Sequence, residues 1–169
     1  MIEVKADLWG FYQVDKILVA ITINGFVKKD GNAVMGKGCA YEASLIVPDA
    51  QRILGSSIRR NGWDHIHKID QHLAGFPVKR DKAICDGHNV VSTMRRKFRV
   101  GDRVPGWALK SETRIIANSL RKLFWYKDSN GYKRVFLPRP GCGAGELSWD
   151  LVKPICAEYG DWLIIVHKE

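Results

Sequence analysis

The sequence predicts an α/β domain built on a mixed or largely parallel sheet. Short apolar runs rich in β-branched residues indicate buried strands, the clearest at residues 17–23, and helical segments alternate with them. Two glycine-rich loops, at residues 24–38 and 138–147, each follow one of these strands. Ligands of such sheets bind beyond the carboxyl ends of the strands, so both loops are expected at the ligand-binding edge.

The predicted strands are short and apolar, at residues 2–6, 17–23, 65–69, 72–78, 133–137 and 162–166. The predicted helices carry apolar residues on one face, at residues 39–46, 49–60, from 111 onward and 148–159. Asp49, Ser111 and Ser148 are expected to begin helices as N-caps. Pro154 is expected to kink the last helix or delay its start. Residues 80–112 are expected to be irregular.

Composition limits the class of protein. The chain has 169 residues, enough for one domain with its own core, and 46% are apolar. No run reaches the roughly 18 apolar residues of a membrane helix, and the alternating, charged N-terminus is not a signal peptide pattern. The four cysteines form no CxxC pair, which favours reduced thiols. We therefore expect a cytoplasmic protein without a membrane partner.

No metal and no other cofactor is expected. A zinc site needs two pairs of ligands at suitable spacing, and the sequence offers no second pair. The histidines and cysteines considered are His65, His67, His72, Cys85 and His88.

The net charge of +9 is unevenly distributed. Residues 79–110, here called the basic segment, contain nine Lys or Arg and three Asp, and so carry +6. Such a patch indicates an anionic partner. The segment could be a lid over a ligand cleft, a nucleic-acid-binding surface with Phe98 stacking among its cations, or a solvated arm. Trp107 is a candidate to cover a nucleobase.

The loop at residues 138–147 is the most informative part of the chain. A buried strand leads into Gly141, Gly143 and Gly145, and a helix is expected to open at Ser148. This order of strand, glycine loop and helix start turns backbone N–H groups toward an anion, and glycines let the main chain approach it closely. The loop therefore predicts a phosphate-binding site, and the ligand is interpreted as a nucleotide.

These loops resemble those of macro domains. Asn24-Gly25 after a buried strand and the sequence VMGKGCA at residues 34–40 are similar to the first ligand loop of that family. Residues 138–149 resemble the second loop, in the form of the branch with ADP-ribose 1''-phosphate phosphatases and terminal ADP-ribose glycohydrolases. Residues 76–79 resemble a strand end that some hydrolytic members use. The resemblance spans residues 2–79 and 111–166.

The resemblance implies a three-layer α/β/α fold that binds ADP-ribose in a surface cleft. We accordingly expect one macro-like domain over residues 1–169, with an insertion at about 80–110. Asp7 would accept the adenine amine, Asn24 would face the distal ribose, and Gly36 and Gly38 would line that ribose and its phosphate. The second loop would wrap the diphosphate with Gly141, Cys142, Gly143, Ala144 and Gly145.

The resemblance also suggests catalytic candidates. Lys79 matches the attacking lysine of the terminal glycohydrolases, although a phosphate contact or a solvated lysine are alternatives. The catalytic aspartate of that branch aligns with Gly145, which is a departure from its pattern. Glu146, one residue later, is a candidate general base that could instead pair with Arg139 or Lys37. Cys142 could be a reactive thiol or a small packed residue.

The expected function is binding of ADP-ribose or a derivative between the two loops. As a hydrolase, the protein would remove a phosphate or an ADP-ribosyl adduct at the distal ribose. Its partners would then include ADP-ribosylated protein or nucleic acid. One alternative is a non-catalytic reader or scavenger of an ADP-ribose-containing signal, motivated by the missing aspartate. The other is a nucleic-acid-binding protein that uses residues 79–110.

Overall fold

The computed structural model describes residues 1–169. The strands are β1 (Ile2–Lys5), β2 (Ile17–Asn24), β3 (His67–Asp70), β4 (Leu73–Lys79), β5 (Lys82–Ile84), β6 (Arg103–Pro105), β7 (Arg134–Pro138) and β8 (Leu163–His167). The helices are α1 (Gly38–Ile46), α2 (Ala50–Asn61), α3 (Thr113–Ser129) and α4 (Trp149–Ala157).

Six strands form the central sheet in the order β1-β8-β7-β2-β4-β3. All neighbours are parallel except β3 and β4, which are antiparallel. The prediction of a mixed, largely parallel sheet is therefore confirmed. β2 lies between β7 and β4, which explains why its sequence is almost continuously apolar.

Helices cover both faces of this sheet, so the expected three-layer α/β/α arrangement is confirmed. Successive side chains of β2 point to opposite faces. Val19 and Ile21 belong to the core cluster that packs under α1 and α2. Leu18 and Ala20 belong to the second cluster, which packs against α3 and α4. The alternating burial of one strand thus holds all three layers together.

Two expectations about helix starts need correction. Ser111 does not cap α3, because the N-cap is Glu112 and Ser111 is buried beside the second glycine loop. Pro154 does not delay α4, which begins at Trp149 because Ser148 Oγ accepts a hydrogen bond from the Asp150 amide at 3.3 Å. Asp49 occupies the N-cap position of α2, as expected, but its carboxylate bonds to Arg52 and not to the helix backbone.

The basic segment was expected to be irregular, and that expectation is wrong. Strands β5 and β6 form an antiparallel pair, and 3₁₀ turns occupy Ser92–Lys97 and Gly106–Ala108. The segment has a small core of its own, made of Cys85, Val90, Val104, Ala108 and Leu109. Its strands are three residues long, too short for a hydrophobic period to show in the sequence.

No helix of the structure is both long and apolar enough to span a lipid bilayer.

The first glycine loop is held against α2 by close backbone contact. The Ala33 amide donates to the Gln51 carbonyl at 2.9 Å. Gly55 of α2 lies so near this loop that a Cβ there would overlap the Gly31 carbonyl oxygen. Gly55 on the helix thus sets the position of a loop at the carboxyl edge of the sheet.

Gly55→Ala is expected to destabilise the protein by about 1–3 kcal/mol, because the added methyl overpacks rigid backbone. Thermal or urea unfolding measures the change, with the exposed neighbour Ser56→Ala as the matched control. Equal stability of the two variants would show that the loop moves freely on α2.

Candidate functional site

A cleft of about 750 Å³ lies at the carboxyl edge of the sheet, between the two glycine-rich loops. The loops follow β2 and β7, which are neighbours. From β2 the chain continues through α1 and α2 to β3 and β4 on one side, and from β7 it continues through α4 to β8 on the other. Connections that diverge in this way leave a crevice between the two strand ends, which is where open α/β sheets bind ligands.

The second loop presents unpaired backbone donors. Its shape is set by bonds from the Leu147 amide to the Gly141 carbonyl at 2.9 Å and from the Glu146 amide to the Gly143 carbonyl at 3.0 Å. Four other amides in the loop donate to no protein acceptor and belong to residues that line the cleft, namely Gly141, Gly143, Ala144 and Gly145. Clustered N–H groups of this kind form a binding site for an anion.

The first loop adds donors from the opposite wall. Gly36 and Lys37 line the cleft, and their amides donate to no protein acceptor. They lead into α1, whose first residues Gly38, Cys39 and Ala40 also line it. The first N–H groups of a helix lack intrahelical acceptors and carry partial positive charge. Both walls therefore favour negative charge in the middle of the cleft.

Asn24 lines the cleft and also braces the first loop. Its side-chain amide donates to the Val34 carbonyl at 3.1 Å, and its Oδ1 accepts from the Phe26 amide at 3.0 Å. One N–H of the side chain remains for a ligand. The turn-forming and ligand-facing interpretations of this residue are thus compatible.

Lys79, the last residue of β4, is buried and lines the cleft. Its Nζ donates to the Ala144 carbonyl at 3.2 Å, so it touches the second loop. Burial, followed by the nearby charge of Lys37, lowers the pKa of Lys79 to about 8. The solvated-lysine alternative does not fit this geometry. A pKa of about 8 also gives Lys79 a larger neutral fraction near neutral pH than an exposed lysine has.

Glu146 is exposed and does not line the cleft. Its carboxylate accepts hydrogen bonds from the Ser92 amide at 2.9 Å and the Ser92 hydroxyl at 2.6 Å. These bonds hold the pKa of Glu146 below its usual range. Its partner is Ser92 rather than Arg139 or Lys37, and the contact ties the second loop to the basic segment.

Gly145 stands where the resembled glycohydrolases carry an aspartate. A Cβ at this position would overlap Ser111 Oγ and would lie 2.6 Å from the Gly141 carbonyl oxygen. The Ser111 amide also donates to the Gly145 carbonyl at 3.0 Å. The space for a side chain at this position is therefore taken by Ser111.

Asp7 and Cys142, two further residues that the sequence analysis named, lie beside and in the cleft, respectively. Asp7 is exposed between the lining residues Ala6 and Leu8, and its carboxylate accepts from the Trp9 amide at 3.2 Å. Cys142 lines the cleft, but burial raises the pKa of its thiol, which favours the packed, protonated form.

The cleft follows the edge of five strands. One end is lined by Leu8 and His167, near β1 and β8, and the other by Val78 and Lys79 at the end of β4. From β1 to β4 there are four inter-strand spacings, about 19 Å in all. This length suits an extended dinucleotide-like ligand whose diphosphate lies between the loops.

The basic segment forms part of the wall beside Lys79. Val91, Met94 and Trp107 line the cleft, and the Trp107 carbonyl lies 3.5 Å from Lys79 Nζ. Sequence reasoning singled out Trp107 but missed Val91 and Met94, as well as Ser111. The sequence signal that could have indicated Val91 and Met94 is that they are apolar residues close to a run of cations.

No group of three or more His, Cys, Asp or Glu side chains is arranged to hold a metal ion.

No protein-family model matches the chain. A curated relative from Thermosipho africanus, a DNA ADP-ribosyl transferase–DNA ADP-ribosyl glycohydrolase fusion protein, is 25% identical over 130 residues. That match covers 75% of this chain but 32% of the relative, so the chain spans about a third of its length.

Solved structures share the fold. The macrodomain of Thermus aquaticus DarG matches with a TM-score of 0.66 at 18% identity, covering 99% of this chain and 97% of that one. The macrodomain of Mycobacterium tuberculosis DarG matches with a TM-score of 0.65 at 17% identity, covering 98% and 95%. Thermosipho africanus DarTG in complex with ADP-ribose matches with a TM-score of 0.62 at 19% identity, covering 97% and 40%. This chain therefore has the macrodomain fold.

Two glycines of the second loop are expected to respond differently to a methyl group. Gly145→Ala should lower stability by about 1–3 kcal/mol, because the methyl collides with Ser111. Gly143→Ala has open space around its Cβ and should leave stability within about 0.5 kcal/mol. Denaturant unfolding of both variants checks this, and a reversed order would contradict the loop geometry.

Proposed function

We propose that the cleft binds ADP-ribose, or a group that contains it, with the diphosphate between the two glycine loops. The observation that carries the proposal is the set of unpaired amides on both walls. Gly36 and Lys37 supply them on one side, and Gly141, Gly143, Ala144 and Gly145 on the other. A diphosphate supplies the negative charge that these amides and the α1 N-terminus favour. The DarTG complex with ADP-ribose, which shares the fold, supports this choice of ligand.

The ligand is proposed to run with its adenosine toward β1 and its distal ribose toward β4. The β1 end is lined by Leu8, and Asp7 lies next to it, where it could receive the adenine amine. The β4 end holds Asn24 and Lys79, whose polar groups suit a ribose. We treat residues 1–169 as one macro-type domain, with the basic segment inserted beside the distal end.

The proposed reaction is removal of an ADP-ribosyl group from a nucleobase of DNA. The name of the Thermosipho relative, a DNA ADP-ribosyl glycohydrolase, supports an ADP-ribosyl adduct of DNA over a terminal phosphate. We propose a nucleobase as the attachment point. The neutral amine of Lys79 would attack C1'' of the distal ribose. As the Nζ–C1'' bond forms, the glycosidic bond breaks, its electron pair goes to the base, and the base takes up the proton that Nζ loses. Water then displaces Nζ from C1'', releasing ADP-ribose and free Lys79.

Burial is proposed to replace the missing carboxylate as the activator of this lysine. With a pKa of about 8, roughly a tenth of the amine is neutral at pH 7, far more than for a solvated lysine. Gly145 offers no side chain and Glu146 faces Ser92, so neither is assigned as the base.

A second candidate function is that of a non-catalytic reader or scavenger of ADP-ribosyl groups. The favouring observation is that Ser111 occupies the space of a side chain at Gly145. In a reader, Lys79 would serve as a cation that supports the Ala144 carbonyl and the ligand.

Titration calorimetry with ADP-ribose and a turnover assay on ADP-ribosylated single-stranded DNA test the two candidates. The wild type should bind ADP-ribose and release it from the DNA. Lys79→Met, which keeps the packing but removes the amine, should lose at least about a hundredfold in turnover while binding ADP-ribose within a fewfold. Lys133→Ala, an exposed lysine at the opposite edge of the sheet, should behave as wild type.

Binding without turnover of either the DNA adduct or ADP-ribose 1''-phosphate would favour the reader. Absence of heat at millimolar ADP-ribose would contradict the binding proposal itself.

The turnover rate should rise with pH through about 8. The folded state lowers the pKa of Lys79, so the reactive neutral amine is scarce below that value and predominates above it. Single-turnover rates between pH 6 and 9.5 measure the profile. A flat profile, or one that falls across this range, would contradict attack by Lys79.

A further inference from the structure

The basic segment presents cations that the protein itself does not neutralise. Of its nine Lys and Arg, Lys79 faces the cleft and Arg80 pairs with Glu112 at 2.9 Å. The remaining seven make no ion pair, and all but the last are exposed, namely Lys82, Arg95, Arg96, Lys97, Arg99, Arg103 and Lys110.

The three aspartates of the segment are used by its turns. Asp86 accepts hydrogen bonds from the amides of His88 and Asn89, at 2.7 and 2.8 Å. Asp102 accepts from the Arg99 amide at 2.8 Å. Asp81 accepts from the Lys82 amide at 2.8 Å. These carboxylates shape the backbone and pair with no basic side chain, so the positive charge remains available to a partner.

The segment is also held in one position, which does not fit a solvated arm. Its own small core and the β5–β6 pair order it internally. Ser92 at the start of the 3₁₀ turn is tied to Glu146 of the second loop. Gly106 lies so close to Arg80 that a Cβ there would overlap the Arg80 carbonyl. A surface fixed in this way can bind an extended anion without the cost of being ordered first.

The cationic surface is continuous with the distal end of the cleft. Val91 and Met94, at the start of the 3₁₀ turn that carries Arg95, line the cleft, and so does Trp107. Trp107 is 36% exposed and its carbonyl meets Lys79 Nζ. A base attached to the distal ribose would leave the cleft here, with the phosphates of its strand beside the cations.

We propose that this surface is the docking site for the single-stranded DNA that carries the ADP-ribosyl group, with the cations binding its phosphates and Trp107 stacking on a base. The inference rests on the proposed function and deepens it. A single strand is favoured because the modified base must stand outside a stack to place its ribose against Lys79. An aromatic platform among cations is the arrangement that binds single strands with little sequence preference.

The test compares two double variants that each remove two adjacent cations. Arg95→Ala/Arg96→Ala alters the proposed surface, whereas Lys133→Ala/Arg134→Ala alters exposed cations at the amino end of β7, across the sheet from the cleft. Each is titrated with a short ADP-ribosylated single-stranded DNA, the same DNA unmodified, and free ADP-ribose.

Arg95→Ala/Arg96→Ala should weaken binding of both DNAs at least about tenfold. The slope of the logarithm of the DNA-binding constant against the logarithm of the salt concentration should become less steep by about 1.4, since two phosphate contacts are lost. Its affinity for free ADP-ribose should stay within about twofold of wild type. Lys133→Ala/Arg134→Ala should match wild type with all three ligands. Trp107→Ala should also weaken binding of both DNAs, by about fivefold or more, because a base loses its stacking partner.

Equal DNA affinities of the two double variants would overturn the inference, and so would DNA binding that does not respond to salt. In parallel titrations of the wild type, tighter binding of the same ADP-ribosylated DNA as a duplex, or of an ADP-ribosylated peptide, would also overturn it. All of these outcomes concern DNA or peptide binding. Failure of the proposed function would instead appear as no binding of free ADP-ribose by the wild type.

Discussion

The structure depends on one constraint, the adjacency of β2 and β7 at the centre of a parallel sheet. Because both strands run in the same direction, the loops that follow them meet at one edge. Because the connections then diverge, neither loop fills the space between them. The residues with unpaired amides, Gly36 and Lys37 in one loop and Gly141, Gly143, Ala144 and Gly145 in the other, line this shared space as a consequence of topology.

Side-chain packing determines that no carboxylate of the second loop reaches the cleft. Ser111 fills the space behind Gly145, so the second loop carries no carboxylate toward the cleft. Glu146, the nearest carboxylate in sequence, is turned to Ser92 and anchors the basic segment. Lys79 is left buried and without an ion-pair partner. Its burial, followed by the nearby charge of Lys37, lowers its pKa to about 8. One packing contact at Ser111 is thus linked to the chemistry proposed at Lys79.

Much of the fold could be predicted from the sequence, because the central strands are long enough to show their pattern. The residues of β2 are apolar on both faces, and the glycines after β2 and β7 lie at the carboxyl edge of the sheet, where the cleft is. The basic segment could not be predicted, since its strands have three residues and its core is assembled from non-adjacent turns. The Ser111–Gly145 and Ser92–Glu146 contacts join residues 34 and 54 positions apart, and no local pattern encodes them.

The central claim is that backbone amides from two neighbouring loops grip one diphosphate, and a crystal structure with ADP-ribose tests it most directly. The account predicts diphosphate oxygens within about 3.2 Å of amides in both loops, with adenine toward Leu8 and the distal ribose toward Lys79. A ligand held by one loop alone, bound in the reverse direction, or seated outside the cleft would contradict it.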